Sequence, residues 1–560
     1  MPIANASPQN AAPERTPLLK SQSQDPEADY TTFPKGPEPK EEDWKPPKGF
    51  WIIQVALWSN VFLSGFDGTI TASTYALIGS EFHAANHASW LTTSYLITST
   101  AFQPLYGRFS DLLGRRVCFF LSTITFTAGC LGCSVADSML SLNAMRALTG
   151  FGGGGLITMA TIVNSDLIPF RKRGMYQAIQ NILVGLGAVS GASLGGVIAV
   201  EMGWRWCFAL QVPVSLLALA VGYAVLQDPP TPVERMVQPA KGIRRLKSVL
   251  ARLDLSGSVV LVLALAAQLA GLSLGGNEYA WASVPVIGSL VASIALLAIF
   301  LVIEARTQAF PIIPLEMLKG CQPVMVQLTN VFAGMAAYAY LFMIPLFFQA
   351  VRGDSASTAG FRLVVPSVAT PIGGVIAGFM MQRGCKMSYN VRLGTAMMFL
   401  GNLLAIGLGQ KGASWSDVVF LLPANLGLGL TNPSVLFSFV SLFEHQEQAV
   451  ATSTVYLIRS MGTIYGVTMT SAVVQNVLVN KLPGALGDIQ GKDEIIESIR
   501  QSVFAIDDLS PALQVVVRTV YFDALKLAFV VATSVAMLSF CFSWTVRVDS
   551  LGRRTGGQRR

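Results

Sequence analysis

Four charged residues stand in sequence where charge is expensive. Asp67 interrupts the apolar and small-residue run that starts at Trp51, and Asp111 closes the next run. Arg146 opens the stretch Arg146-Ala-Leu-Thr-Gly-Phe-Gly-Gly-Gly-Gly155, and Arg459 lies inside a later apolar run. An ionised side chain at the centre of a lipid-embedded helix costs about 2.5 to 3.5 kcal/mol on insertion scales. Asp67 must therefore be paired, neutralised or turned toward a wet cavity. Desolvation disfavours an ionised carboxyl and a neighbouring cation favours it, so a site alternating between the two can take up and release a proton. Asp67 is the candidate proton-coupling group, with Arg146 as the cation that neutralises it in one state. The competing readings are a structural Asp67 that caps a helix broken at Gly68 and an Arg146 fixed on backbone carbonyls. Asp166, just before Pro169, is expected to bridge to Arg171 or Arg173.

Uncharged polar residues recur in the same apolar runs. Gln103, Gln180, Asn181, Asn330, Tyr338, Gln349, Asn432 and Tyr456, with Arg459, are suited to line a central substrate cavity. Each has an alternative role as an interhelical hydrogen bond, worth about 0.6 to 2 kcal/mol in a membrane. His83 and His87 are spaced to titrate together in a loop, or are simply solvated. Cys130 and Cys133 have C-x-x-C spacing but no His or acidic partner, so they read as small apolar residues. No metal-ligand set or activated nucleophile is present, the Gly-rich run lacks the strand and Lys of a phosphate loop, and no catalytic site or cofactor is expected.

The elements that must carry these residues follow from composition. The 560 residues hold 39 Lys+Arg and 32 Asp+Glu, 13% charged, while 52% are hydrophobic. An ordinary soluble domain carries about 25% charged residues, so an all-α integral membrane protein is expected. Apolar runs between residues 51 and 545 give about fourteen candidate helices of roughly 20 residues each. Residues 1–48 are rich in Pro, Ser, Glu and Lys and read as a disordered cytoplasmic tail. No apolar run follows Met1, so no cleavable leader is expected. The tail contains Glu14-Arg-Thr-Pro-Leu18-Leu19, an acidic-dileucine pattern of the kind bound by sorting adaptors.

Basic residues mark one side. Arg115 and Arg116, Arg171 to Arg173, the cluster from Arg235 to Arg252, Arg306 and Lys319, and Arg383 to Arg392 follow every second expected span. Short cytoplasmic loops carry such an excess, so both termini are expected in the cytoplasm. The positive balance of +7 is thereby assigned to topology rather than to nucleic acid. The expected organisation is a six-helix half over 49–226, a cytoplasmic linker over 227–254, two inserted helices over 255–303 and a second six-helix half over 304–545. A basic tail follows over 546–560. The polar segment 480–520 is expected to be a far-side loop with one amphipathic turn.

The halves look duplicated. The Gly-stepped run at Arg146–Gly155 has a counterpart at Asn425–Pro433, and Gly107–Arg116 has a degraded echo at Gly378–Lys386. Parallel repeats of this kind characterise rocking secondary transporters with a midplane site. The segment Gly107-Arg108-Phe-Ser-Asp111-Leu-Leu-Gly114-Arg115-Arg116 is similar to the G-x-x-x-D-x-x-G-R-R signature of the major facilitator superfamily. Phe66-Asp-Gly-Thr-Ile70 and Arg146-Ala-Leu-Thr-Gly150 resemble elements of its fourteen-span drug:proton antiporter branch. Gly187, Gly191, Gly195 and Gly196 match the antiporter motif G-x-x-x-G-P-x-x-G-G, with Ala192 where that motif has Pro. Within the branch, Asp67–Tyr75, Trp90–Tyr95 and the dileucine tail look most like fungal vacuolar basic amino-acid transporters.

The resemblance implies the major facilitator fold, with two six-helix pseudo-repeats and two inserted helices. It implies a proton-driven antiporter, Gly107 to Arg116 as a conformational latch, Gly187, Gly191, Gly195 and Gly196 as helix packing, and no cofactor beyond the proton gradient. Expected partners are membrane lipid, protons, a basic amino acid or an organic cation, and a sorting adaptor. The first expectation is export of basic amino acids into the vacuole. Plasma-membrane efflux of drugs or secondary metabolites and a non-transporting nutrient sensor are the alternatives.

Overall fold

Apolar stretches long enough to cross a bilayer must satisfy their own backbone groups, and in a single chain without a closed barrel only helices do so. The computed structural model accordingly builds the chain from helices. It describes residues 45–82, 90–226, 254–275, 279–307, 309, 311–354, 356–410, 414–444, 447–487, 492–501 and 503–548. Glu14, Leu18 and Leu19, His83 and His87, and nearly all of the 227–254 linker lie outside these residues.

The first group of helices is α1 (Phe50–Glu81), α2 (Trp90–Leu113), α3 (Arg115–Ser134), α4 (Met139–Leu167), α5 (Phe170–Ile198), α6 (Trp204–Ala209) and α7 (Gln211–Val225). The pair α8 (Leu255–Leu274) and α9 (Val284–Arg306) follows. The second group is α10 (Cys321–Ala350), α11 (Ala356–Gln382), α12 (Met387–Ala405), α13 (Ser414–Val440), α14 (Gln448–Leu486), α15 (Lys492–Gln501) and α16 (Pro511–Thr545). Among the described residues, eight helical stretches are long and apolar enough to cross a membrane, and α1, α2, α4, α12 and α14 are not among them.

Local chemistry sets the ends. Gly114, at φ +99°, turns α2 into α3 with almost no loop, a conformation that suits Gly. Ser138 closes a capping box with Ser141 at the start of α4, and the Asp254 side chain caps α8 at the Gly257 N–H, each satisfying an orphan helix donor.

Packing repeats between the groups. α1 lies on α5 as α10 lies on α14, α2 on α4 as α11 on α13, α3 on α4 as α12 on α13, and α1 on α7 as α10 on α16. The groups meet along α5 with α11 and α2 with α14, a contact termed the seam below, and α8 leans on α2 and α14 from outside.

The 480–520 segment departs from expectation. It is mostly helical: α14 runs on to Leu486, α15 occupies Lys492–Gln501, and α16 begins at Pro511. Its polar composition conceals an apolar stripe. Leu482, Leu486, Ile495, Ile496 and Ile499 join the core cluster around Phe347 and Phe529, and the Tyr521 hydroxyl donates to the Ile499 carbonyl at 2.9 Å.

Candidate functional site

Asp67 and Arg146 meet. One guanidinium nitrogen, Nη1, donates to both carboxylate oxygens at 2.8 Å, and both side chains are 0% exposed. The Arg146 Nε donates to the Leu91 carbonyl at 3.1 Å, and its guanidinium carbon lies 4.6 Å from the Tyr95 ring centre and 5.7 Å from that of Phe208. Gln211 Nε2 adds a donor to Asp67 Oδ1 at 3.3 Å. Helices α1, α2, α4, α6 and α7 thus converge on one charge pair. A buried pair costs desolvation of both ions and is strongly destabilising to break from one side. The fixed-Arg reading is partly realised at Leu91, but the carboxylate is the larger contact. A helix broken at Gly68 is not observed: α1 is continuous through it.

The seam is closed at the end that carries Gly107–Arg116. A Cβ at Gly107 would lie 2.1 Å from Ser453 Oγ, and one at Gly378 would lie 3.0 Å from the Gly174 backbone. Arg173 Nη1 donates to Gln448 Oε1 at 2.6 Å, Gln177 Nε2 donates to the Tyr456 hydroxyl at 3.3 Å, and Thr161 and Tyr456 hydroxyls bond at 2.9 Å. Ser460 donates to Gln103 Oε1 at 3.0 Å. The void left among Thr161, Asn164, Arg173, Gln177, Gln180 and Thr452 is ≈ 10 Å³, about one water. Two amide donors on the α5 face remain unbonded: Gln180 Nε2, on a side chain 1% exposed, and Asn181 Nδ2.

Across the seam lies Arg459. Its Nε donates to Asn330 Oδ1 at 3.3 Å, its Nη2 to the Asn432 carbonyl at 3.0 Å, and it lies over the Tyr456 ring at 5.5 Å. Tyr338 lies two turns along α10 from Asn330 and is 46% exposed. No carboxylate pairs with Arg459 among the described residues. The expected cavity residues Gln103, Gln180, Asn181, Asn330, Tyr338, Asn432 and Tyr456 are thus brought to the seam or to Arg459. Gln349 is not with them, since it lies one residue from the end of α10. A larger cavity, ≈ 540 Å³, opens between α8, α10 and α14 among Leu272, Trp281, Met335, Tyr465 and Asn476. It touches neither Asp67 nor Arg459.

The signature segment is wired differently from expectation. Arg115 bonds Asp111 at 2.6 Å and Asp166 at 2.8 Å, so Asp166 pairs with Arg115, and the Arg171 side chain lies outside the described residues. The reason is geometric: α4 ends beside the start of α3, while Arg173 is drawn to the Ile168 carbonyl and Gln448. Arg116 lies over the Tyr223 ring at 4.9 Å and donates to the Tyr223 carbonyl at 3.1 Å. Arg108 donates to the Pro311 carbonyl at 2.6 Å and feels the carboxylates of Asp111, Glu304 and Glu447. Gly107 makes the close cross-seam approach of this segment, against Ser453 of α14.

The antiporter-motif glycines divide. Cβ atoms at Gly187 and Gly191 would lie 2.2 and 2.3 Å from the Phe62 and Phe66 carbonyl oxygens, so both are needed for the α1–α5 approach. Gly195 accepts the Cys207 thiol at 3.5 Å, whereas a Cβ at Gly196 would meet nothing within 4 Å. Gly196 therefore serves no packing role here. Gly462 and Gly466 repeat the α5 pattern on the Val331 and Met335 carbonyls at 2.4 and 2.1 Å.

Sequence reasoning missed Gln177, Thr161, Ser460, Gln448 and Gln211. The polar spacing of Gln177, Gln180 and Asn181, three and four apart on one helix face, was available as a signal. No comparable pattern marks Gln211 or Thr161.

Comparison with known proteins agrees with this architecture. Residues 57–467 match the model of the Major Facilitator Superfamily. The chain is 42% identical over 459 residues to "Vacuolar basic amino acid transporter 2" of Saccharomyces cerevisiae, covering 81% of this chain and 96% of that protein. It is 34% identical over 501 residues to "Multidrug resistance protein fnx1" of Schizosaccharomyces pombe, covering 89% and 92%. Among solved structures, the human organic anion transporter MFSD10 superposes with a TM-score of 0.58 at 12% identity, covering 89% of this chain and 100% of that one.

Proposed function

Because the chain belongs to the major facilitator superfamily and is a multi-pass membrane transporter, we propose that it is a proton-coupled antiporter that moves basic amino acids from the cytoplasm into the vacuole. The observation that carries the coupling is the Asp67–Arg146 pair, 0% exposed on both sides. The substrate and the membrane are argued from the vacuolar relative and its near-complete coverage.

The signature end is assigned to the cytoplasm by the basic residues that flank it. The conformation described is then closed toward the cytoplasm. A proton arriving from the acidic lumen neutralises Asp67 and releases Arg146 from its strongest contact. Opening the cytoplasmic end requires breaking Thr161–Tyr456, Arg173–Gln448 and Ser460–Gln103. Substrate then enters the seam as Asp67 gives up its proton and re-forms the ion pair, and the halves rock back. The two pseudo-repeats move as units because backbone-to-backbone glycine contacts hold α5 to α1 and α14 to α10.

The test is uptake of labelled lysine, arginine and histidine into proteoliposomes driven by an imposed pH gradient, for the native chain and for Asp67→Asn. The native protein should accumulate substrate and the variant should retain only exchange. Gradient-driven accumulation by Asp67→Asn equal to that of the native protein removes the coupling role. The relative "Multidrug resistance protein fnx1" favours a second reading, efflux of organic compounds. A fluorescent fusion found only at the plasma membrane would support it over the vacuolar one.

A further inference from the structure

We propose that Arg459 recognises a carboxylate of the transported solute, so that the seam selects carboxylate-bearing substrates and rejects their decarboxylated amines. The inference deepens the antiporter reading in one respect, taking the seam as the substrate path.

The argument begins with an asymmetry between the repeats. Gly65 faces the Val184 carbonyl at 2.2 Å and Gly187 faces that of Phe62. In the second group, Gly334 faces the Arg459 carbonyl at 2.9 Å and Gly462 faces that of Val331. Arg459 therefore stands where the first repeat has Val184. Close helix packing needs only the glycine side of this contact, so the fold does not ask for an arginine there. The cation is an addition to the scaffold.

Its environment is incomplete. Arg146 holds both oxygens of a carboxylate through Nη1, with two ring faces and a backbone carbonyl beside it, and its buried Nη2 is left unbonded. Arg459 has one amide oxygen at 3.3 Å, one carbonyl at 3.0 Å and one ring. A guanidinium has five N–H donors in a fork that fits a carboxylate, and a cation inside a membrane protein calls for a counter-charge. The described residues supply none. Two buried amides on the α5 face of the seam add donors without acceptors, Gln180 Nε2 and Asn181 Nδ2. They connect to Arg459 through Thr161 and the Tyr456 hydroxyl. Meanwhile the one carboxylate deep in the first group, Asp67, is fully engaged with Arg146. Among the described residues the seam thus offers donors and a positive charge and no carboxylate beside Arg459. It is complementary to a carboxylate, while an ammonium meets only carbonyl, hydroxyl and ring acceptors such as Tyr456.

The experiment uses the purified full-length chain in lipid nanodiscs and reads ligand-induced thermal stabilisation for matched pairs: lysine and cadaverine, arginine and agmatine, histidine and histamine. Glutamate and tetraphenylphosphonium complete the panel. The native protein should be stabilised by the amino acids and not by their decarboxylated partners. Arg459→Gln should weaken amino-acid binding about 10- to 100-fold, the scale of a lost charge-assisted contact. Arg459→Lys should recover part of it, which separates recognition from misfolding. Carboxylate-dependent binding of glutamate alone, lost in Arg459→Gln, supports the inference while removing the basic amino-acid reading. Equal binding of lysine and cadaverine overturns the inference, as does unchanged lysine affinity in Arg459→Gln. So does a panel in which no carboxylate stabilises the native protein.

Discussion

Replacing Arg146 by Gln leaves Asp67 buried without its cation, and the structure sets the size and pH dependence of the loss. Both side chains are 0% exposed, and after the substitution Asp67 keeps only the Gln211 donor at 3.3 Å. Removing one partner of a buried pair costs about 3 to 5 kcal/mol when the survivor stays ionised. The alternative is for Asp67 to take a proton. A carboxyl that titrates near 3.9 in water takes one at 1.36 kcal/mol per pH unit, about 4 kcal/mol at pH 7 and about 1.5 kcal/mol at pH 5. The cheaper route governs at each pH. The folded variant then binds a proton that its unfolded chain lacks, so its stability falls as pH rises from 5 to 7. Asp67→Asn with Arg146→Gln removes both charges and should be insensitive to pH over that interval and more stable than Arg146→Gln at pH 7. Thermal unfolding in nanodiscs at pH 5, 6 and 7, followed by intrinsic fluorescence, measures all three proteins. An Arg146→Gln deficit of the same size at pH 5 and pH 7 refutes the reasoning, because it would mean that no proton replaces the lost cation.

Other outcomes follow from the same geometry. Gly187→Ala should lower the unfolding temperature markedly, since its Cβ would lie 2.2 Å from a backbone oxygen, whereas Gly196→Ala, facing open space, should leave it unchanged or raise it slightly. Tyr456→Phe deletes the hydroxyl that joins Thr161 and Gln177 across the seam. A loss of about 0.5 to 1.5 kcal/mol should favour cytoplasmic opening roughly 2- to 12-fold, read as faster thiol labelling of Cys introduced at Thr452. At the opposite end, the hydrogen bonds from Arg205 and Trp204 hold the Glu81 carboxyl below its ordinary value of 4.5. A lowered carboxyl stabilises above the unfolded value and loses that contribution as pH falls through the folded one. The effect of Glu81→Gln on unfolding temperature should therefore be constant between pH 7.5 and 5 and shrink only below about 4.5.

Some of this was readable from residue types alone. Asp67 and Arg146 are conspicuous because charge is rare in apolar runs, and a lone carboxylate and a lone guanidinium in one helical group have strong physical reason to meet. Gly187 and Gly191 were legible because spacing by four puts small residues on one helix face. Asp166 was misjudged because its sequence neighbours Arg171 and Arg173 are nearer along the chain than Arg115, while the packing of α3 on α4 makes Arg115 nearer in space. Gly196 belongs to the same motif as Gly187, yet α5 turns it past the α1 contact, a rotation that a motif does not encode. The 480–520 helices were missed because polar residues outnumber the few leucines and isoleucines that form their buried stripe. Thr161 and Tyr456 bond across 295 residues of chain, a distance over which no periodicity carries information.

The Asp67–Arg146 pair also determines how membrane voltage acts on the transporter. As an ion pair its net charge is zero, so a voltage across the bilayer exerts no net force on it when the helices tilt. Once Asp67 holds a proton, the same group carries one positive charge, and displacing a full charge through 100 mV is worth about 2.3 kcal/mol. On the proposed cycle the proton-loaded reorientation is electrically driven by this site's own charge, and the return leg only by the charge that the solute brings, none for a zwitterion and one for a cationic amino acid. Pre-steady-state currents should therefore appear with protons alone, and in Asp67→Asn, where Arg146 stays uncompensated, they should lose their dependence on pH.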